Sequence, residues 1–89
     1  MNIEFTKRFR KEFRQFTSTS NFAKWIDDTV ENVLSAKTVN EIKGIKKMAG
    51  YKDYYRIRIG SYRVGVKVTE DTVIFAAFDH RKDIYKHFP

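Results

Sequence analysis

The sequence predicts an α+β fold. An N-terminal strand and a helical hairpin pack on a mainly antiparallel sheet containing a three-stranded meander, all in one domain of residues 1–89. Three observations carry this. Residues 54–66 alternate apolar side chains with arginines on both sides of Gly60-Ser61, which is the period of two half-buried strands around a tight turn. Phe9, Phe13 and Phe16, and then Phe22, Trp25, Ile26, Val30, Val33 and Leu34, recur at helical spacing. A second alternating run begins at Thr72, just after Glu70-Asp71.

Taken in order, Asn2-Ile3-Glu4-Phe5 alternates and reads as a short strand. Thr6 offers a hydroxyl to cap the helix carrying the Phe stripe, while Lys7, Arg8, Arg10, Lys11 and Arg14 fill its other faces. Thr17-Ser18-Thr19-Ser20 interrupts and caps a second helix, so the two form an αα-hairpin. That helix buries its apolar stripe, Trp25 included, and turns Asp27, Asp28 and Glu31 outward. Lys43, Lys46, Lys47 and Lys52 surround Gly44 and Gly50, a loop or short strand entry. In the hairpin, a type II′ turn at Gly60-Ser61 sets Ile59 opposite Tyr62, Arg58 opposite Arg63, Ile57 opposite Val64 and Arg56 opposite Gly65. An even-length turn at Glu70-Asp71 would extend that register: Gly65 to Ala76, Arg63 to Phe78, Ser61 to His80. Gly65 and Ala76 would then floor a groove with arginines beside it and His80 at its end. The tail packs Ile84 and Phe88.

Charge narrows the function. The formal net charge is +7 and it is uneven: +3 over residues 1–16, +4 over 37–52 and +3 over 53–69, against −2 over 17–36 and −1 over 70–89. Like charges facing each other across a ladder destabilise it, so Arg56, Arg58 and Arg63 on one face point to a bound anion. A polyanion, most naturally nucleic acid, is the expected partner. The absence of cysteine excludes disulfides and thiolate metal sites. His80 and His87 lack metal-helix spacing, no nucleophile elbow is present, and the four glycines form no phosphate loop. No cofactor or metal is expected. No signal peptide or bilayer-spanning run is visible, which fits a cytoplasmic location without membrane contact.

Arg56, Arg58, Arg63, His80, Arg81 and Tyr85 together suit metal-free cleavage of RNA. Guanidiniums hold the scissile phosphate and stabilise charge in the transition state, a histidine moves a proton, and an aromatic ring stacks on a base. Lys7, Arg10, Lys11, Arg14, Lys43, Lys46, Lys47 and Lys52 supply general attraction to RNA. Arginine stays charged at any working pH, so proton transfer falls to His80, Tyr85 or His87.

The stretches Tyr55-Arg56-Ile57-Arg58-Ile59-Gly60-Ser61-Tyr62-Arg63-Val64 and His80-Arg81-Lys82-Asp83-Ile84-Tyr85 resemble the RelE/ParE toxin superfamily of toxin–antitoxin systems, and in particular its RelE branch. The resemblance covers nearly the whole chain. It implies a RelE-like fold and an mRNA endoribonuclease acting in the ribosomal A site. It also implies a cognate antitoxin, expected to present an acidic, amphipathic segment to the helical hairpin. Site roles carried over on the motif fall on Arg56, Arg58, Arg63, Arg81 and Tyr85, with proton transfer on His80 and His87 as the weaker alternative. Where the best-known enzyme has lysines on the first meander strand, this chain has Arg56 and Arg58. The rival readings are a ParE-like inhibitor of DNA gyrase and a catalytically silent regulator that binds RNA or antitoxin.

Overall fold

A computed structural model describes residues 1–16 and 20–89, the side chains of residues 20–22 excepted. Strand β1 (Asn2–Phe5) leads into helix α1 (Lys7–Phe16), and helix α2 (Ser20–Ser35) follows. A 3-10 turn (Val39–Glu41) precedes β2 (Ile45–Lys47), the meander β3 (Tyr54–Ile59), β4 (Tyr62–Thr69) and β5 (Thr72–His80), and the short helix α3 (Ile84–His87). The sheet order is β1-β5-β4-β3-β2, antiparallel except for the β1–β5 pair. The α+β expectation therefore holds, meander included. The expected break and cap at Thr17-Ser18-Thr19 lies outside the described residues. Among the described residues, no helix is long and apolar enough to cross a membrane.

Alternation gives the sheet two unlike faces. Ile57, Ile59, Val64, Val66, Val73, Phe75 and Phe78 point to the helical face and form the main core with Phe9 and Val33. Phe9 meets Phe75 and Phe78 edge-on, with centroids 5.5 and 6.2 Å apart. Burying each such ring contributes about 1.5–3 kcal/mol. α1 starts here because Thr6 Oγ1 accepts the Phe9 N–H at 3.0 Å, as the cap reading requires. Two expectations for α2 do not survive. Leu34 is 58% exposed and Trp25 37% exposed, because the buried stripe of α2 is narrower than its apolar residues and centres on Val33.

The hairpin register is the one expected, from Ile59–Tyr62 to Arg56–Gly65. Gly60 takes φ +57° and Ser61 has no positive φ, as a type II′ turn demands and a type I′ turn would not. The second hairpin departs from expectation. Its two-residue turn pairs Thr69 with Thr72 and Val66 with Phe75, but a β-bulge then shifts the register. Beyond it Gly65 faces Ala77, Val64 faces Phe78, Arg63 faces Asp79 and Tyr62 faces His80. Ala76 is the extra residue. Thr6 Oγ1 lies 3.2 Å from the Ala76 carbonyl, and Glu12 Oε1 accepts the Phe78 N–H at 3.1 Å, so α1 secures the bulge. The physical reason is burial: without the extra residue Phe78, 1% exposed, would lie on the arginine face.

The face away from α1 and α2 is open near the Gly60 turn and covered further along by the tail. Met48, Ala77, Ile84 and Phe88 form a second small core there, flanked by Tyr54 and Ala76. Gly65 makes it possible, since a Cβ at that position would meet the Phe88 ring at 2.5 Å. The groove predicted over Gly65 and Ala76 thus becomes a seat over Gly65 and Ala77, and it is filled by Phe88.

Candidate nucleic-acid interface

The open face carries Lys46 from β2, Arg56 and Arg58 from β3, and Arg63 from β4, with Lys46 opposite Arg56 and Arg58 opposite Arg63. Together with Gly44 and Ile45 these four side chains line a cleft of about 350 Å³. The cleft has no acidic lining residue, and among the described residues none of Arg56, Arg58, Arg63 and Arg81 forms an ion pair. Arg63 instead donates from Nη1 to the carbonyls of Gly60 (3.0 Å) and Tyr62 (2.9 Å). Those bonds fix the guanidinium without neutralising it. Desolvation, and then the positive charges of Arg58, Arg56 and Arg81, pull Arg63 below the usual arginine range, while Tyr85 acts in the opposite sense. The arrangement is a set of converging cations held in mutual repulsion, which an anion would relieve.

The tail supplies the roof. Arg81 is tied to the hairpin turn, its N–H donating to the Ser61 carbonyl at 2.9 Å. Ile84 and Phe88 anchor α3, which leaves Tyr85 54% exposed with Arg56 Cζ 5.1 Å from its ring centroid. Five of the six residues expected to act together, Arg56, Arg58, Arg63, Arg81 and Tyr85, are thus gathered around one cleft.

His80 is placed differently. The bulge turns it to the helical face, where its ring meets Tyr62 edge-on at 5.5 Å. Its Nδ1 accepts the Lys82 N–H at 3.2 Å, which leaves Nε2 as the atom for any transferable proton. The open face holds Asp79 in its stead. Asp79 Oδ1 accepts the His80 N–H at 2.7 Å, and Oδ2 lies 3.9 Å from His87 Nε2. Sequence reasoning missed Asp79 because the bulge that exposes it is a tertiary effect.

The remaining basic residues do not form one surface with the cleft. Lys7, Arg10, Lys11 and Arg14 are exposed on α1, across the sheet from the arginines, and Arg10 and Arg14 border an apolar groove between α1 and α2. Lys47 pairs with Tyr55 and so points away from Arg56, while Lys43 and Lys52 are exposed in the flanking loops. Of the eight, only Lys46 lines the cleft. Trp25 was read as core, yet it forms part of a second, smaller cleft beside the hairpin turn.

Comparison with known proteins places this architecture. The family model for the ParE toxin of type II toxin–antitoxin systems, parDE, matches residues 3–85. The chain is 40% identical over 90 residues to Toxin RelE3 of Methanocaldococcus jannaschii, the match covering 100% of both. Among solved structures it is similar to the RelB–RelE antitoxin–toxin complex from Methanococcus jannaschii, with TM-score 0.77, 38% identity and coverage of 97% of this chain and 99% of that one. It also shares its fold with the YoeB dimer from Staphylococcus aureus, with TM-score 0.71 at 18% identity over 91% of this chain and 97% of that one.

Proposed function

The chain belongs to the RelE/ParE superfamily and is a toxin of a type II toxin–antitoxin system; from that premise we propose that it is a ribosome-dependent, metal-independent mRNA endoribonuclease. One observation carries the reading: Arg56, Arg58 and Arg63 converge on a cleft with no acidic lining, and Arg81 and Tyr85 stand close by. Close-set cations of this kind favour an anionic partner, and a phosphodiester meets three guanidiniums with more than one oxygen at a time. A phosphodiester neutralises them.

In the proposed reaction the 2′-hydroxyl attacks the adjacent phosphorus, the O2′–P bond forms and the P–O5′ bond breaks. The products are a cyclic 2′,3′-phosphate and a 5′-hydroxyl end. Arg63 and Arg81 hold the non-bridging oxygens and stabilise the charge that grows on them. Arg56 and Arg58 extend the clamp along the backbone, and Tyr85 stacks on a base and turns the nucleotide toward in-line attack. With Tyr85 given to stacking, we assign proton exchange to an imidazole. His87 shares the open face with Arg63 through Asp79 and now ranks ahead of His80, whose ring faces Tyr62. Exposed lysines and α1 add long-range attraction to ribosomal RNA, so association weakens steeply with salt.

A cognate antitoxin is the second partner. The groove between α1 and α2, lined by Phe5, Phe9, Phe13, Ile26 and Val30 with Arg10 and Arg14 on its α1 side and Asp27 on its α2 side, suits an amphipathic segment that folds as it binds and sets acidic residues against the two arginines.

The test is to induce wild type, His80→Ala and His87→Ala separately and map 5′ ends on a reporter mRNA. Translation-dependent 5′-hydroxyl ends from wild type and His80→Ala, but not from His87→Ala, are expected. Growth arrest without cuts, with loss of DNA supercoiling by gyrase in the toxin's presence, would replace the nuclease by the gyrase reading.

A further inference from the structure

We infer that Trp25, Asp28, Thr29 and Arg58 form a nucleobase-binding subsite beside the arginine cleft, selective for guanine in single-stranded RNA. The inference rests on the nuclease reading above and adds to it the base that flanks the bound phosphate.

These four residues, with Ile59 and Gly60, line a cleft of about 200 Å³ between α2 and the β3–β4 turn. Arg58 lines both this cleft and the basic one, so the two meet at one residue of β3. A strand whose phosphate sits among Arg56, Arg58 and Arg63 therefore has an adjacent place for one base. Trp25 suits that place by its surface: it is 37% exposed, an unusual state for the largest apolar side chain. Its ring reaches the turn because residue 60 is glycine, where a Cβ would lie 3.0 Å from the indole. A partly exposed indole beside a basic cleft offers a ring on which a base can stack.

Asp28 gives the chemistry. It is the one acid on the lining of either cleft, and among the described residues neither it nor Arg58 forms an ion pair. A carboxylate repels backbone phosphate and accepts from N–H donors. Guanine offers two adjacent donors, N1–H and N2–H, on the edge that single strands leave open; adenine and uracil do not. The Thr29 hydroxyl donates to the Trp25 carbonyl at 2.9 Å, which fixes the orientation of the Thr29 side chain on the cleft wall.

Trp25 is the chain's single tryptophan, so fluorescence excited at the red edge of the indole band, where the five tyrosines do not absorb, reports on this side chain. The experiment titrates intact protein with short 2′-O-methyl RNA, which cannot be cleaved, containing guanine or adenine at one position. Inorganic polyphosphate is the control for the arginine cleft. Quenching by guanine-containing RNA and not by polyphosphate is expected. Anisotropy of labelled RNA should show about ten-fold weaker binding for Trp25→Ala, affinity largely kept by Trp25→Phe, and no guanine preference in Asp28→Asn. RNA that binds without quenching, with equal affinity for wild type and Trp25→Ala, overturns the subsite and leaves the arginine reading in place. RNA that does not bind at all overturns the subsite, while the ribosome-dependent nuclease stands or falls by the mapping of 5′ ends on translated mRNA.

Discussion

Replacing Arg58 by Gln should make the free protein more stable and its grip on RNA weaker. Arg58 and Arg63 stand directly opposite in the β3–β4 ladder, with Arg56 and Arg81 also acting on Arg63. Two unit charges on the order of 6 Å apart in water repel by about 0.7 kcal/mol, and like-charged cross-strand pairs fall in a range of roughly 0.2–1 kcal/mol. Gln keeps most of the aliphatic stem, including the Cβ that a side chain on Gly44 would touch at 3.4 Å, so little packing is lost. The relief should raise the melting temperature by roughly 2–6 °C. It should vanish near 1 M salt, where the Debye length is about 3 Å. On the proposed reading the same change removes one phosphate contact. It should weaken RNA binding about ten-fold at low salt and lower the slope of log K against log salt by about 0.7. Calorimetry at two salt concentrations, with RNA anisotropy across a salt series, measures all of these. A variant that melts below wild type at low salt, or that binds RNA equally well, would refute the claim that the cluster is held under repulsion for an anion.

Gly65→Ala places a methyl group 2.5 Å from the Phe88 ring and should cost about 1–3 kcal/mol in urea unfolding; in the Phe88→Ala background the cost should largely disappear, and simple additivity would contradict the packing. Glu70 sits at φ +41° in the second turn, so Glu70→Gly should stabilise by up to about 1 kcal/mol, read as a rise in the urea midpoint. Removing the acceptor that holds the bulge, by Glu12→Ala, should cost about 1–2 kcal/mol, with Glu12→Gln costing less. An RNA oligonucleotide at about a hundred times its Kd should add roughly 2.7 kcal/mol of stability, and none in an Arg56/Arg58/Arg63 triple Gln variant.

Local rules made most of the fold legible. The Gly60-Ser61 turn fixed a register that every pair from Ile59–Tyr62 to Arg56–Gly65 obeys, because a two-residue loop leaves no freedom. The same reasoning failed one strand later. The Glu70-Asp71 turn starts the ladder as expected, yet strand parity cannot show that burying Phe78 against α1 outweighs a regular ladder at Ala76. That single residue exchanges His80 for Asp79 on the arginine face. The arginines were legible because unfavourable pairing needs a reason; Trp25 was not, since helical spacing says which residues share a face and not how wide the neighbouring layer is. How far the tail reaches across the sheet was hidden too, because it depends on the empty space above Gly65.

The sheet order has a kinetic consequence. The β3–β4 and β4–β5 hairpins join neighbours in the chain, whereas β1 must find β5 from the far end, Asn2 meeting Thr72. Contacts between near neighbours close fast and distant ones slowly, so the meander should assemble first and β1 should join β5 late. The early unit is also the one that crowds the arginines. Its formation is opposed by charge before the rest of the core can compensate, and a polyanion present during refolding should act there, raising the folding rate more than it lowers the unfolding rate.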